Sequence, residues 1–256
     1  MGMNVKVLAS GSKANCVYIS NGTHSILVDA GIQKSKIGKA LIDNSIKITD
    51  INAIFITHEH GDHVQGLSIA SKYHIPVYAS PGTVKELAKS EKYADIKTDP
   101  IPPSGGITFG MGTSSHMTVR SFKVYHDAID PVGYTIESGD KKVSVLMDTG
   151  MVTRGMIKKM AYSDVYVFEC NHDLDALMNG EYDEYTKKRI SGDNGHLSND
   201  IAAKALSYLI QGRGEQIYLS HMSSKNNKPK WAMKTVQHAL YKKGYILGEH
   251  YQMEVV

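Results

Sequence analysis

Residues 57–63 read Thr-His-Glu-His-Gly-Asp-His, directly after the apolar run 51–56. His58, His60, Asp62 and His63 put four metal-ligating side chains into one short stretch. Imidazole and carboxylate suit zinc, manganese and iron. A strand fixes the backbone, and the turn after it aims side chains inward. On an extended segment His58 and His60, two apart, point the same way. Asp62 and His63 lie beyond them, where a turn brings them to a second ion. The chemistry indicated is metal-assisted hydrolysis.

One loop cannot supply every ligand of two ions. His126, Asp148 and His221 offer the rest, each after an apolar strand candidate at 121–125, 142–147 or 216–220. Taken singly, each reads equally well as a hydrogen-bonded loop residue. Their recurrence alongside the first cluster reads as ligation. His24, His74, His116, His238 and His250 lack such contexts and are assigned to surface or packing roles.

The elements that must position these groups are legible in outline. Strands are expected near 5–9, 17–19, 25–29, 51–56, 76–79, 121–125, 133–137, 142–147, 164–169 and 216–220. Several are solid apolar runs, as in strands covered on both faces. Ser80 before Pro81 marks a helix start, and Thr153 a second. Ser198 or Asn199 opens a helix with Ile201, Ala202, Ala205, Leu206 and Leu209 on one stripe. Pro229 introduces another, carrying Trp231, Ala232, Val236 and Leu240. The Pro-, Gly-, Ser- and Thr-rich stretch 97–118 reads as a loop. Sheets inside and helices outside give an α/β sandwich, with no domain-scale linker or repeat.

Bulk properties narrow the class. The chain has 256 residues, a formal net charge of +3 and two cysteines, Cys16 and Cys170. That length permits a substantial core. The mild basic surplus neither requires nor excludes nucleic acid. Two cysteines do not make a disulfide scaffold, and a reducing cytoplasm fits. The segment MGMNVKVLAS does not read as a signal peptide, and no apolar stretch approaches the ~20 residues of a membrane span.

The combination resembles the metallo-β-lactamase superfamily. HxHxDH after a strand is its signature, and LVDAG at 27–31 matches its first motif. LASGSKANC at 8–16, HDAIDPVGY at 126–134, DTG at 148–150, ECNHD at 169–173, RISGDNGHLSN at 189–199 and HMSSKNN at 221–227 are similar to the YycJ/WalJ-like branch of bacterial DNA exonucleases, related to ribonuclease Z. The resemblance implies a single domain over 1–256: a four-layer αββα sandwich of two similar halves, without a β-CASP insertion. It implies two divalent ions (Zn, Mn or Fe, with Mn or Zn favoured). His58, His60 and His126 would hold one, and Asp62, His63 and His221 the other, with Asp148 bridging. Asp29 would brace the metal loop.

Further roles follow from that resemblance. The activity implied is 5′-to-3′ DNA exonucleolysis by a metal-activated hydroxide, on a 5′-phosphate end. RNA is a second candidate partner, and no membrane partner is implied. Asp62 would also orient the hydroxide. His196 would serve the leaving 3′-oxygen, with Glu169 orienting it. A plain helix-start turn is the alternative for His196, and packing is the alternative to a bracing role for His172. The loop with Ser10, Ser12, Lys13 and Asn15, together with Ser223, Ser224, Asn226 and Asn227, would hold a terminal phosphate; ordinary turn chemistry uses the same residues. Lys187, Lys188 and Arg189, and then Lys225, Lys228 and Lys230, are basic runs flanking these loops. Two other functions stay open: a small-molecule ester, thioester or cyclic-phosphodiester hydrolase, and a metal-stabilised binding module that does not cut. His60 stands where di-iron redox relatives carry glutamate, which disfavours redox chemistry.

Overall fold

The apolar runs become buried strands, and a computed structural model describes residues 2–101 and 105–256. The chain divides into two compact units: residues up to Lys123 with Ala128–Lys141, and Val124–Asp127 with Lys142–Val256.

The first unit holds a six-stranded sheet in chain order. Its strands are β1 (Asn4–Ala9), β2 (Cys16–Ser20), β3 (Ser25–Val28), β4 (Ile51–Phe55), β5 (Val77–Ala79) and β6 (Thr98–Pro100). β1 to β3 pair antiparallel, and β3 to β6 pair parallel. The helices between are α1 (Lys34–Asp43), α2 (Gly61–Val64), α3 (Ser68–Tyr73) and α4 (Pro81–Ala88). One core cluster joins Leu27, Ile54, Ile56 and Val77 to Ile37 and Leu41 of α1. Ser80 caps α4 by accepting from the Thr83 amide, as its sequence signal predicts. β7 (Gly106–Phe109), β8 (Met117–Lys123) and β9 (Val132–Ser138) make an antiparallel ribbon in the same unit.

The second unit carries most of β10 (Lys141–Leu146), then α5 (Arg154–Met160), β11 (Val165–Glu169), α6 (Leu174–Met178), α7 (Glu184–Ser191), α8 (Asn199–Leu209), β12 (Glu215–Ser220), α9 (Pro229–Tyr241) and β13 (Tyr251–Val255). β10 to β13 form a parallel ladder. Val143, Val145, Val167, Phe168, Ile217 and Leu219 are all fully buried, as strands covered on both faces require. α8 and α9 pack together, burying Ala202, Leu206, Leu209, Ala232, Val236 and Leu240.

Two expectations are corrected. The stretch 97–118 is not one loop, because β6, β7 and the start of β8 fall within it. Pro100 is tolerated because β6 is the sheet edge, where a missing N–H breaks no inner ladder. Residues 102–104 of that stretch lie outside the described residues. The strand expected at 121–125 runs earlier, as Met117–Lys123. Its pairing with β9 stops at Lys123–Val132, and Tyr125 bonds instead to Thr149 Oγ1 and the Gly150 amide. The expected elements also leave out α1, α2, α3, α6, α7 and β13.

Candidate metal centre

The first unit presents one set of ligating groups. β4 ends at Phe55, and the following turn winds into α2 with His60 as its N-cap. The His58 ring centre lies 4.6 Å from that of His60 and 4.1 Å from that of His63. His58 and His63 are buried. Asp62 Oδ2 is 3.4 Å from His63 Nε2.

Asp29 anchors this loop. It follows β3 and adopts φ 62°, in the left-handed region that non-glycine residues seldom enter. Its carboxylate accepts from the Thr57 amide at 2.8 Å and from His63 Nδ1 at 2.8 Å. Burial pushes the Asp29 carboxyl up, while His63 and Thr57 pull it back down. Donating from Nδ1 leaves the His63 lone pair on Nε2, the arrangement of a metal-ligating histidine. Gly31 closes the neighbourhood. A Cβ there would fall 1.6 Å from the Asp62 carbonyl oxygen, so only glycine lets the backbones approach.

The second unit assembles its set from dispersed positions. Asp148 follows β10 and His221 follows β12, both at φ 53°. The ligand atoms of Asp148, Glu169, His196 and His221 lie within 4.8 Å of one another. His126 donates Nδ1–H to the Gly195 carbonyl at 3.1 Å. Its Nε2 is 3.2 Å from Asp127, which also pairs with Arg189 at 2.7 Å. Burial pushes the His126 imidazole below its ordinary value. Asn171 donates to the His221 carbonyl at 2.8 Å and lies 3.2 Å from its Nδ1.

Glu169 is wholly buried but well supplied with donors. Oε2 accepts from the Thr149 and Leu197 amides, and Oε1 accepts from His196 Nδ1 at 2.8 Å. Burial works against its charge, yet the charge and hydrogen bond of His196 and a hydrogen bond from His221 hold the carboxyl below the usual range. Burial likewise opposes charge on His196, but Glu169 and Asp148 outweigh it and raise the imidazole to about 10. In metal-free protein this favours the imidazolium near neutrality. Its turn depends on Gly195, where a Cβ would lie 2.2 Å from the Ile190 carbonyl oxygen.

The other predicted residues fall into distinct environments. His172 is buried, with no hydrogen bond on either ring nitrogen among the described residues. Burial pushes it down to about 4. Cys170 is buried and donates to Asn199 Oδ1. Ser12, Lys13 and Ser224 are exposed, and Ser10 is half-buried. Asn15 is buried, and its amide bonds to Asp62 and His63, which makes it part of the ligand scaffold. Asn227 bonds to Asn199 and to the Cys170 and Asn171 carbonyls. Ser223 and Asn226 are buried, joined by an Asn226 amide to Ser223 Oγ bond. Of the first basic run, Lys187 is buried and paired with Glu184, and Arg189 is paired with Asp127. In the second run, Lys225 lies over Tyr182 and Lys228 over Trp231.

Sequence reasoning missed Thr57, Asp127, Asn171 and Thr149 as supports. The motifs carrying them were visible; what was hidden is the hydrogen bonding each makes across the fold.

The family model described as a Beta-lactamase superfamily domain matches residues 24–222. The chain is 36% identical to Exodeoxyribonuclease YycJ of Bacillus anthracis, covering 99% of this chain and 95% of that protein. It is also 36% identical to Exodeoxyribonuclease WalJ of Streptococcus pneumoniae, covering 94% and 89%. The solved structure of the metallo-beta-lactamase fold protein YhfI from Bacillus subtilis aligns with a TM-score of 0.72 at 17% identity, over 99% of this chain and 95% of that one. The chain belongs to the metallo-β-lactamase superfamily, in its YycJ/WalJ-like branch. Its mixed sheets and flanking helices are that fold. No helix among the described residues is long and apolar enough to cross a membrane.

Proposed function

We propose that the chain is a metal-dependent phosphodiesterase acting as a 5′-to-3′ exodeoxyribonuclease on DNA with a 5′-phosphate end. The observation that carries this reading is near-full-length identity of 36% to two proteins named exodeoxyribonucleases, in a chain that keeps every expected ligand. We read the chain as one metallo-β-lactamase-like domain of two similar halves without a β-CASP insertion, working in the cytoplasm. Two buried free cysteines suit a reducing compartment.

The residues fit a pair of divalent cations. The donors are imidazole and carboxylate, and His63 and His126 each give Nδ1–H to an oxygen, the outer support typical of metal-bound histidine. His58, His60 and His126 would hold one ion, and Asp62, His63 and His221 the other, with Asp148 shared; Mn or Zn suits this donor set. When bound, the ions supply Lewis-acid polarisation of the phosphate and acidify water.

The chain's own groups do the rest. Asp29 and Asn15 hold Asp62 and His63 in place. His196 hydrogen-bonds to Glu169 through its Nδ1–H at 2.8 Å, which fixes the ring. Its second proton, on Nε2, is the one the departing 3′-oxygen takes. Ser12, Lys13 and Ser224, being exposed, are the members of the two phosphate-binding loops open to substrate.

The test uses end-labelled single- and double-stranded DNA and RNA, with 5′-phosphate or 5′-hydroxyl ends, in added Mn²⁺ or Zn²⁺. Mononucleotides released from the 5′-phosphate end of DNA support the reading. Cleavage confined to RNA, or to a small ester or cyclic nucleotide, overturns it, as does binding without cleavage.

A further inference from the structure

Between α8 and α9 the second unit carries a groove of about 600 Å³, lined in part by Asp200, Lys204, Lys234, His238, Lys242 and Lys243. Lys234, His238 and Lys242 recur every four residues, so they share one stripe. The opposite stripes of the two helices are buried in the core, leaving this one outward. Lys204, Lys234, His238, Lys242 and Lys243 are all exposed. The four lysines form no ion pair among the described residues. Solvated helix faces ordinarily interleave both signs of charge. Here α9 contains no acidic residue, and Asp200 is the single acid among the groove's lining residues. Four lysines against one aspartate match the +3 of the entire chain. The basic surplus that looked diffuse in the composition has a local counterpart on this face.

Aromatic surface accompanies the charge. Tyr208 is 59% and Tyr241 68% exposed. The Lys243 ammonium stands 5.6 Å from the Tyr208 ring centre. A smaller adjoining recess of about 250 Å³ shares Lys234 and His238 and adds Tyr241. Cationic side chains that track a backbone, with aromatic faces on which bases stack, are what a single nucleic-acid strand needs. Both helices start near site residues in the chain: α8 begins directly after His196-Leu197-Ser198, and α9 follows the loop that begins at His221.

We infer that this groove binds the phosphodiester backbone of the DNA strand being digested, away from the cleaved end. The inference rests on the nuclease reading. Contacts to phosphate position a strand without reading its sequence, which is the behaviour an exonuclease needs.

The test compares the wild type with K204A/K234A/K242A and with K204R/K234R/K242R. Binding of a 5′-phosphorylated single-stranded oligonucleotide is followed by fluorescence anisotropy across a salt series. Hydrolysis of bis(p-nitrophenyl) phosphate serves as a control that needs no groove. The alanine variant is expected to bind the oligonucleotide ~10-fold or more weakly at low salt. The slope of log affinity against log salt should shrink by about 2, at about 0.7 per lost contact for three contacts. The arginine variant should bind like the wild type, and diester hydrolysis should be unchanged in both. Unaltered affinity and slope in the alanine variant overturn the groove while leaving the nuclease reading intact. A loss seen only on anionic lipid vesicles also overturns it. A wild type that neither binds nor cuts DNA removes both.

Discussion

The two units solve the same problem, holding charged ligands still, in opposite ways. The first unit strings His58, His60, Asp62 and His63 along one loop and pins that loop at Asp29 and Asn15. The second draws His126, Asp148 and His221 from three separate places in the chain and sets Glu169 and His196 beside Asp148 and His221. A contiguous set needs one strand and one turn in register. A dispersed set needs every neighbouring strand end correct at once, and both Asp148 and His221 hold a left-handed backbone to achieve it. Errors in packing should therefore damage the second set first. Errors in a ligand's own side chain should damage either.

The largest effect tests whether the sets act as one centre. His63→Ala in the first unit and His221→Ala in the second should each lower both metal content and DNA cleavage, by more than the ~10–100-fold typical of losing an outer support. Metal analysis and exonuclease assays check it. Loss from one unit alone would break the symmetry. Chelation should abolish cleavage in the wild type.

His196→Ala separates holding from chemistry. Turnover should fall by ~10²-fold or more with metal content retained, as read by single-turnover kinetics beside metal analysis. Unchanged turnover would leave His196 as a helix-start residue. Asn171→Ala removes a bond to His221 rather than a ligand. It should weaken metal affinity by about 10-fold, measured by competition with a chelating dye.

Backbone closeness gives a smaller effect. Gly31→Ala places a methyl against the Asp62 carbonyl, an overpacking cost of ~1–3 kcal/mol. Thermal unfolding should shift down by roughly 2–4 °C per kcal/mol for a chain of this size.

The smallest effect concerns pH in metal-free protein. His196 is raised from 6.5 to about 10, so its charge contributes stability that is full below pH 6.5 and lost as pH rises through 10. The stability gap between wild type and His196→Gln should narrow over that window. A gap that widens with pH would contradict the imidazolium assignment.

Much of this was legible because it was local. HxHxDH is a string, the apolar runs of β10 to β12 are strings, and the caps Ser80, Thr153 and Ser198 sit beside the turns they start. What escaped was short or non-local. α1 offers only Ile37 and Leu41 to the core and has no side-chain cap. α7 buries Lys187 rather than an apolar stripe. Asn15 sits in a loop rich in Ser and Gly, and its amide bonds to Asp62 and His63 are contacts that the order of residues does not report. Nothing in the order of residues reports that Asp127 joins His126 to Arg189, since that contact exists only once α7 has docked within the second unit.

The most direct test strips the protein of metal and adds Mn²⁺ or Zn²⁺ back, measuring bound ions per chain and 5′-mononucleotide release on the same samples. The account predicts no release from stripped protein, and release that rises as two ions bind. Undiminished DNA cleavage without metal, or two bound ions with no cleavage of 5′-phosphorylated DNA, would contradict it.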